Sequence, residues 1–312
     1  MSEPGALVSV PTGGFMLPEL REPVRIIGAR RFDFDRQVAV MAIVNRTPDS
    51  FYDQGANFAL DDAVRASLRA VEEGADWVDI GGVPFAPGAP LAADDELARV
   101  LPVVERVAAA SDVVISVDTF HAAVAERVIA AGAAVVNDTT GVSDPEMLRV
   151  VADSDATLVI VHSLARPRSW FPRPQYGDIA REVREFLQQR IEAALDAGIP
   201  ESRIVIDPGH DLNKNTLHSL ELTRRLGEIT AIGLPTMVAL SNKDFIGETL
   251  DAPKQDRLEG SLAAAVLCIA HGARIVRVHE VHQTVAAVRM TEAVLGFREP
   301  AYLKHNMGDR NE

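Results

Sequence analysis

Side chains that hydrogen-bond or carry charge stand at or next to the ends of the short apolar runs of this 312-residue chain, one for each run. They are Asn45, Asp79, Asp118, Asn137, His162, Asp207, Ser241 and His279. The carboxylates and the amide of Asp118, Asn137 and Asp207 can accept and donate hydrogen bonds along the donor-rich edge of a planar heterocycle such as a 2-amino-4-oxopyrimidine. Lys243, Arg277 and His279 offer cations for a phosphate, a pyrophosphate or a ring carbonyl. The set predicts a site for an anionic heterocycle.

Each of these residues also has a structural interpretation. Asp and Asn shape turns and cap helices, and the buried acceptors could instead satisfy one another and bound water. Motifs for other chemistry are missing from the sequence: no His, Cys and Asp residues have zinc spacing, and there is neither a P-loop nor a Gly-x-Gly-x-x-Gly. Mg²⁺ held through a pyrophosphate and one or two protein oxygens would leave little trace in a sequence.

The elements that must position these residues alternate between apolar runs and amphipathic, helix-like segments. The runs are Val38–Val44, Trp77–Ile80, Val113–Val117, Ala133–Val136, Thr157–Val161, Arg203–Ile206, Thr236–Leu240 and Arg274–Val278. Alternating strands and helices indicate parallel strands covered on both faces. Eight such units predict an α/β fold, a single-domain (β/α)8 TIM barrel, with the polar strand ends at one mouth. The alternative, a doubly wound sheet, carries a glycine-rich turn after its first strand, whereas Asn45-Arg46-Thr47-Pro48 stands here.

The chain divides into four predicted segments. Residues 1–23 form a loosely ordered N-terminal arm, rich in Pro and Gly. Residues 24–37 form a hairpin, with strands at Val24–Ile27 and Arg31–Phe34. The barrel occupies residues 38–297, close to the roughly 250 residues that this fold requires, and residues 298–312 are a C-terminal tail.

Composition narrows the possible partners. The net charge is −14, from 31 basic and 45 acidic residues, which argues against nucleic acid because phosphate backbones bind basic faces. No apolar run approaches the ~20 residues that span a bilayer, so no membrane association is expected. The first fifteen residues do not resemble a secretory signal. The single cysteine, Cys268, lies in an apolar helical stretch and is interpreted as a buried hydrophobic residue. A cytoplasmic location is therefore expected.

The polar residues also form a series of motifs. Asn45–Phe51 resembles the Asn-x-Thr-Pro-Asp-Ser-Phe signature of the dihydropteroate synthases. The resemblance continues, in the same order, through Asp79–Gly82, Ser116–Thr119, Asn137-Asp138, Asp207–Gly209, Ser241 with Lys243, Gly260–Ala263 and Arg277–His279. It covers about residues 38–295. The wider pterin-binding group, which includes methyltetrahydrofolate:corrinoid methyltransferases, shares the fold without this full set.

The resemblance implies a reaction and a set of roles. The family joins a pterin bearing a CH2-pyrophosphate to para-aminobenzoate and expels pyrophosphate. By resemblance, the pterin is bound by Asp118, Asn137, Asp207 and Lys243, the pyrophosphate by Arg277 and His279, and Mg²⁺ by Asn45. The same resemblance implies a homodimer formed through the late barrel helices. It also implies binding of para-aminobenzoate analogues such as sulfonamides or sulfones.

The loops differ from the family at specific positions. Phe85 and Ala86 stand where the family has the Thr and Arg of Glu-Ser-Thr-Arg-Pro-Gly, which frame the aminobenzoate and meet the pyrophosphate. Asp211-Leu212-Asn213-Lys214 replaces Gly-Phe-Gly-Lys, so Leu212 removes an aromatic wall and Asp211 adds a negative charge. Asn242 replaces the Arg of Ser-Arg-Lys. Arg46 replaces a small apolar residue and is a candidate to substitute for the missing cation.

The free energy of the missing contacts indicates how strongly these differences should affect activity. One charge-assisted contact to phosphate contributes roughly 1.5–3 kcal/mol, and its loss would slow pyrophosphate departure as well, because it stabilises developing charge. The sequence therefore predicts a dihydropteroate synthase-like protein with little or no synthase activity. The alternative is a functional synthase that joins 6-hydroxymethyl-7,8-dihydropterin pyrophosphate to para-aminobenzoate. A third possibility is an unrelated barrel enzyme that acts on another anionic heterocycle.

Overall fold

A computed structural model describes residues 17–46, 60–83, 87–165, 167–171 and 173–306. Strands β1 (Val24–Ile27) and β2 (Arg30–Asp33) pair antiparallel as a hairpin. The next eight strands are parallel and close into a barrel in the order β10-β3-β4-β5-β6-β7-β8-β9. These are β3 (Ala39–Asn45), β4 (Trp77–Gly81), β5 (Val114–Asp118), β6 (Val135–Asp138), β7 (Thr157–Val161), β8 (Ile204–Asp207), β9 (Thr236–Val238) and β10 (Ala273–Val278). The predicted TIM barrel is confirmed.

Helices connect the strands and surround the barrel. They are α1 (Leu60–Glu72), α2 (Ala93–Ala110), α3 (Ala122–Ala130), α4 (Pro145–Ala152), α5 (Ile179–Asp196), α6 (Thr216–Arg224), α7 (Gly227–Thr230), α8 (Asp244–Leu250), α9 (Leu258–Ala270) and α10 (Val281–Val294). None of the described helices is long and apolar enough to cross a membrane.

Alternation along each strand creates two apolar cores. Outward residues such as Val78 and Ile80 are fully buried against the helix layer, which contributes Val103. Inward residues such as Trp77 and Val114 fill the barrel interior. Because successive side chains of a strand point to opposite faces, a polar residue two positions after an inward apolar residue must also face the interior.

The hairpin closes one end of the barrel. Phe32 and Phe34 are fully buried and their rings stack with centroids 5.7 Å apart. Phe32 also meets Trp77, the first residue of β4, edge-on at 5.7 Å. The Nε of Arg274 donates a hydrogen bond to the Phe34 carbonyl at 2.7 Å. The amino-terminal end of the barrel is thus packed with aromatic rings, and the polar residues collect at the carboxyl-terminal end, where barrels of this kind place their chemistry.

Candidate functional site

Asp79 lies at the centre of the site, buried among strands β4, β5, β6 and β10. Its Oδ1 accepts from the Ser116 hydroxyl at 2.6 Å. Its Oδ2 accepts from Asn137 Nδ2 at 3.1 Å and from Arg277 Nε at 2.6 Å. The sequence interpretation placed Asp79 at the end of its strand, which is wrong: β4 runs to Gly81. Asp79 was expected at the mouth but was given no binding role, although its inward phase with Trp77 was a signal for one.

Arg277 joins two carboxylates. Besides Asp79, its Nη2 donates to Asp118 Oδ2 at 3.2 Å, and the Arg277 side chain is only 14% exposed. Burial raises the pKa of Asp118 to about 7, against the opposing effect of Arg277 and with a further upward effect of Asp79. The guanidinium predicted to face pyrophosphate therefore already neutralises carboxylates of the barrel interior.

Only one of the two polar atoms of the Asn137 side chain forms a hydrogen bond among the described residues. Its Nδ2 is used by Asp79, as described, and the residue is 1% exposed. Its Oδ1 is buried and has no hydrogen-bond partner among the described residues. A buried carbonyl without a partner costs free energy, and a ligand that donates an N–H group would remove that cost.

Asp207, the last residue of β8, is held by a tight turn. Its Oδ1 accepts from the Gly209 amide at 2.7 Å. Gly209 has φ 67°, and a Cβ there would lie 2.1 Å from the carbonyl oxygen of His162, so no other residue fits. Burial raises the pKa of Asp207 to about 6, while the Gly209 hydrogen bond and the nearby Lys243 act in the opposite direction.

Lys214 and His162 form a buried pair next to Asp207. Lys214 Nζ lies 2.9 Å from His162 Nδ1 and donates to the carbonyls of Gly209 and Leu212 at 2.8 and 3.0 Å. Burial and the neighbouring ammonium lower the pKa of His162 to about 2, so its ring is neutral and accepts from Lys214. His162, predicted as a residue of the mouth, therefore supports the loop that follows β8.

Residues after β9 and β10 bond mainly to one another. The Ser241 hydroxyl lies 3.0 Å from His279 Nδ1 and donates to Glu280 Oε2 at 3.1 Å. Asn242 Nδ2 donates to Glu280 Oε1 at 2.9 Å. Burial, Arg277, Lys243 and Lys254 all lower the pKa of His279, which falls to about 3. His279 is therefore neutral at pH 7 and offers a pyrophosphate a hydrogen bond but no full positive charge.

The altered segment after β8 is also engaged by the protein. Asn213 Oδ1 accepts from the Ser163 hydroxyl at 2.9 Å and from the Leu164 and Ala165 amides at 2.8 and 2.9 Å. Leu212 is half-buried against the apolar residues of the barrel interior. The segment thus retains an aliphatic contact surface while Asn213 fixes the neighbouring loop.

Arg46 faces helix α2. Its Nη1 donates to the carbonyl of Ala98 at 3.3 Å and also to that of Arg99. Pro102 lies inside α2 and has no N–H to give to the Ala98 carbonyl four residues earlier. Arg46 supplies a donor there, which speaks against its use as a substitute pyrophosphate cation.

The remaining predicted residues are Asn45, Phe85, Ala86 and Lys243. Asn45 ends β3, and a Cβ built on Gly81 would lie 3.1 Å from its Oδ1, so the amide crosses the neighbouring strand closely. Phe85 and Ala86 lie outside the residues that the structure describes. Lys243 immediately precedes helix α8, and burial lowers its pKa. Within the described ranges, no group of three or more His, Cys, Asp or Glu could hold a metal.

Comparison with known proteins gives a consistent result. Residues 41–279 match a family described as pterin binding enzyme. The chain is 45% identical over 272 residues to a Mycobacterium leprae protein named inactive dihydropteroate synthase 2, covering 85% of this chain and 93% of the relative. It is 38% identical over 261 residues to the dihydropteroate synthase of Escherichia coli, covering 83% and 93%.

A solved structure gives the same result in three dimensions. Xanthomonas albilineans dihydropteroate synthase, solved with 4-aminobenzoic acid, superposes with a TM-score of 0.80 at 39% identity. The match covers 87% of this chain and 98% of the other. Sequence and structure thus agree over nearly the whole barrel.

Proposed function

This chain belongs to the pterin-binding enzymes, as a divergent dihydropteroate synthase-like protein of the folate-biosynthesis family, and from this we propose that it binds a pterin at the barrel mouth but transfers it to para-aminobenzoate poorly or not at all. The functional synthase is the alternative that the experiment below distinguishes.

The observation that carries pterin binding is the buried, unpartnered Oδ1 of Asn137 between two carboxylates. Asn137 pairs in register with Asp118 on the adjacent strand, and Asp207 ends a strand on the same side of the barrel. A pterin ring carries an exocyclic amine and ring N–H groups on one edge, which would donate to these acceptors. Lys243 would donate to the acceptor edge of the ring.

The proposed loss of transfer to para-aminobenzoate is supported by the small amount of positive charge available to a pyrophosphate at this site. Arg277 is already bound to Asp79 and Asp118, and His279 is neutral. Ala86 carries no cation where the family has arginine. Expulsion of pyrophosphate concentrates negative charge on the leaving group, and catalysis of such a step depends on positive groups placed there beforehand. Of these three groups, Arg277 thus pairs with protein carboxylates, His279 is uncharged and the loop arginine is absent.

Mg²⁺ fits this site only as a companion of the substrate. Mg²⁺ retains several waters and is usually bound through substrate phosphates and one or two protein oxygens. Asn45 can supply one such oxygen, and the described residues provide no carboxylate cluster around it. When bound, the ion would neutralise charge on the departing pyrophosphate.

We also propose three further properties on the basis of the family resemblance: binding of para-aminobenzoate analogues, dimer formation and a cytoplasmic location. Ser241 and Lys243 are retained, so a para-aminobenzoate analogue such as a sulfonamide or sulfone should still bind, although Leu212 provides no aromatic contact. A homodimer formed through the late barrel helices and a cytoplasmic location remain part of the proposal. Size-exclusion chromatography with light scattering tests the dimer.

The test of function is a paired measurement on purified protein. Dihydropteroate formation is assayed beside the Escherichia coli synthase, and binding of 6-hydroxymethylpterin is measured by calorimetry. The proposal expects turnover lower than the control by several decades, together with measurable pterin binding. Turnover within about tenfold of the control would establish the functional synthase, because that gap is less than the loss of one charge-assisted phosphate contact can cause. Absence of pterin binding would show that the acceptors serve only the fold.

A further inference from the structure

The altered segment after β8 connects loops on both of its sides. Asp211 and Asn213 have left-handed backbone conformations, with φ 64° and 51°. Asp and Asn adopt this region more readily than most residues with side chains. Asn213 holds the loop after β7, as described. Asp211 reaches in the other direction, to the loop after β9.

Asp211 acts as the cap of a helix that belongs to another loop. Its Oδ2 accepts from the amide of Asp244 at 2.7 Å and more loosely from that of Phe245 at 3.5 Å. Its Oδ1 accepts from the Ser219 hydroxyl of helix α6 at 3.1 Å. Lys243, the N-cap residue of α8, makes no capping hydrogen bond with its own side chain. The first amides of a helix lack intrahelical partners, and Asp211 accepts from the first two amides of α8.

This contact determines where Lys243 can be. Lys243 directly precedes the amides that Asp211 holds, so the cap fixes the backbone from which the Lys243 side chain extends. Among the charged neighbours of Lys243, Asp211 has the largest effect on its pKa and opposes the lowering caused by burial. The charged and titratable groups around Lys243 are Asp211, Arg277, Asp207, Asp118, Lys214, His210 and His279.

We propose that Asp211 is a positioning residue for pterin binding, which caps helix α8 from a neighbouring loop and thereby holds Lys243 at the barrel mouth. This inference rests on the proposed pterin binding and adds to it. Asp211 stands where the family has glycine. Its side chain connects the loop after β8 to the loop after β9, a contact that a glycine could not make.

Three variants separate the cap from the charge and from general destabilisation. Asp211→Gly removes both the acceptor and the charge and suits the left-handed backbone. Asp211→Asn keeps a side-chain oxygen and tolerates the same backbone, but it is neutral. Asp144→Gly is the matched control, since Asp144 caps α4 by accepting from the Glu146 amide at 2.9 Å.

Calorimetry with 6-hydroxymethylpterin gives the first result. Asp211→Gly should bind about tenfold more weakly, an effect within the range for loss of a helix cap. Asp211→Asn should bind the pterin as tightly as the unaltered protein does at pH 6.5. As the pH is raised, its affinity should begin to fall at a lower pH than that of the unaltered protein, because Lys243 without the Asp211 charge loses its proton more easily. Asp144→Gly should bind normally. Equal weakening by Asp211→Gly and Asp144→Gly, or normal binding by Asp211→Gly, would overturn the proposal.

NMR of the lysine side chains gives a second result that needs no ligand. The chain has four lysines, Lys214, Lys243, Lys254 and Lys304, so ¹³Cε-labelled protein has few signals and Lys243→Arg assigns one of them. The Lys243 signal should titrate at lower pH in both Asp211 variants and be unchanged in Asp144→Gly. An unchanged Lys243 titration in both Asp211 variants refutes the positioning role. If the titration shifts but the unaltered protein binds no pterin, the proposed function fails while the Asp211–Lys243 coupling stands.

Discussion

The floor of the barrel mouth and the loops above it differ in how their polar groups are used. The floor consists of Asp79, Asp118, Asn137 and Asp207, which lie on strands. The altered loop positions with hydrogen-bonding side chains in the described part of the chain are Asp211, Asn213 and Asn242. In the floor, Asn137 Oδ1 has no partner within the described part of the chain. In the loops, the side chains of Asp211, Asn213 and Asn242 all bond to other parts of the protein.

This difference indicates how a binding site can lose one substrate and keep another. Strand side chains are placed by backbone pairing, for example Asp118 beside Gly81 and Asn137 beside Asp118. Changing them disturbs a buried network. Loop side chains can be replaced by residues that hydrogen-bond locally, which stabilises the loop while the contact to substrate disappears. The residues of the floor would therefore be retained after the loop contacts to para-aminobenzoate and pyrophosphate had been lost.

The largest effect should come from the centre of the floor. Asp79→Ala removes the acceptor of Ser116, Asn137 and Arg277 and should lower the free energy of unfolding by about 3–5 kcal/mol, the usual cost of leaving a buried charge without its partner. Urea unfolding measures it. Asn242→Ala, the loop counterpart, loses one hydrogen bond and should cost about 1 kcal/mol. Similar losses in the two variants would remove the distinction between floor and loops.

A smaller effect is expected at the edge of the floor. Asp207→Ala should weaken pterin binding by at least about 1.5 kcal/mol, the low end for hydrogen bonds to a charged group. Leu212→Phe, which restores the aromatic residue of the family on the loop, should leave pterin affinity unchanged. Calorimetry on both variants tests the contrast. Equal binding by Asp207→Ala and the unaltered protein would mean that the carboxylate serves the fold alone.

Pterin binding by the floor should also depend on pH. Burial raises the pKa of Asp207 to about 6 and that of Asp118 to about 7. A pterin that donates to these groups favours their ionised forms, so binding below those pH values must release protons. Affinity should therefore fall as pH falls through 7 and then through 6, approaching about tenfold per pH unit for each carboxylate titrated. Calorimetry from pH 5 to 7.5, with Asp207→Asn as the control that lacks one step, measures it. A flat profile would contradict the assignment.

The amino-acid sequence by itself determined the barrel and placed several polar residues at the ends of its strands. Eight apolar runs separated by helical segments leave few arrangements that bury both faces of each strand. In the barrel, Asn45, Asp118 and Asp207 are the last residues of β3, β5 and β8. Boundaries were less certain, as β9 ends at Val238, two residues before the predicted end at Leu240. Short strands lack the periodicity that would locate their ends.

Only the tertiary structure decided which polar groups are already used. Arg277 is bound to Asp79, His279 is neutral, and Asp211 caps a helix 33 residues away. All three facts depend on contacts between segments that are distant in the chain. Sequence pattern reports which face of an element a residue occupies, because that depends on local periodicity. Hydrogen-bond partners and pKa shifts depend on the distances between elements and on the water excluded from them, and these quantities exist only once the barrel has closed.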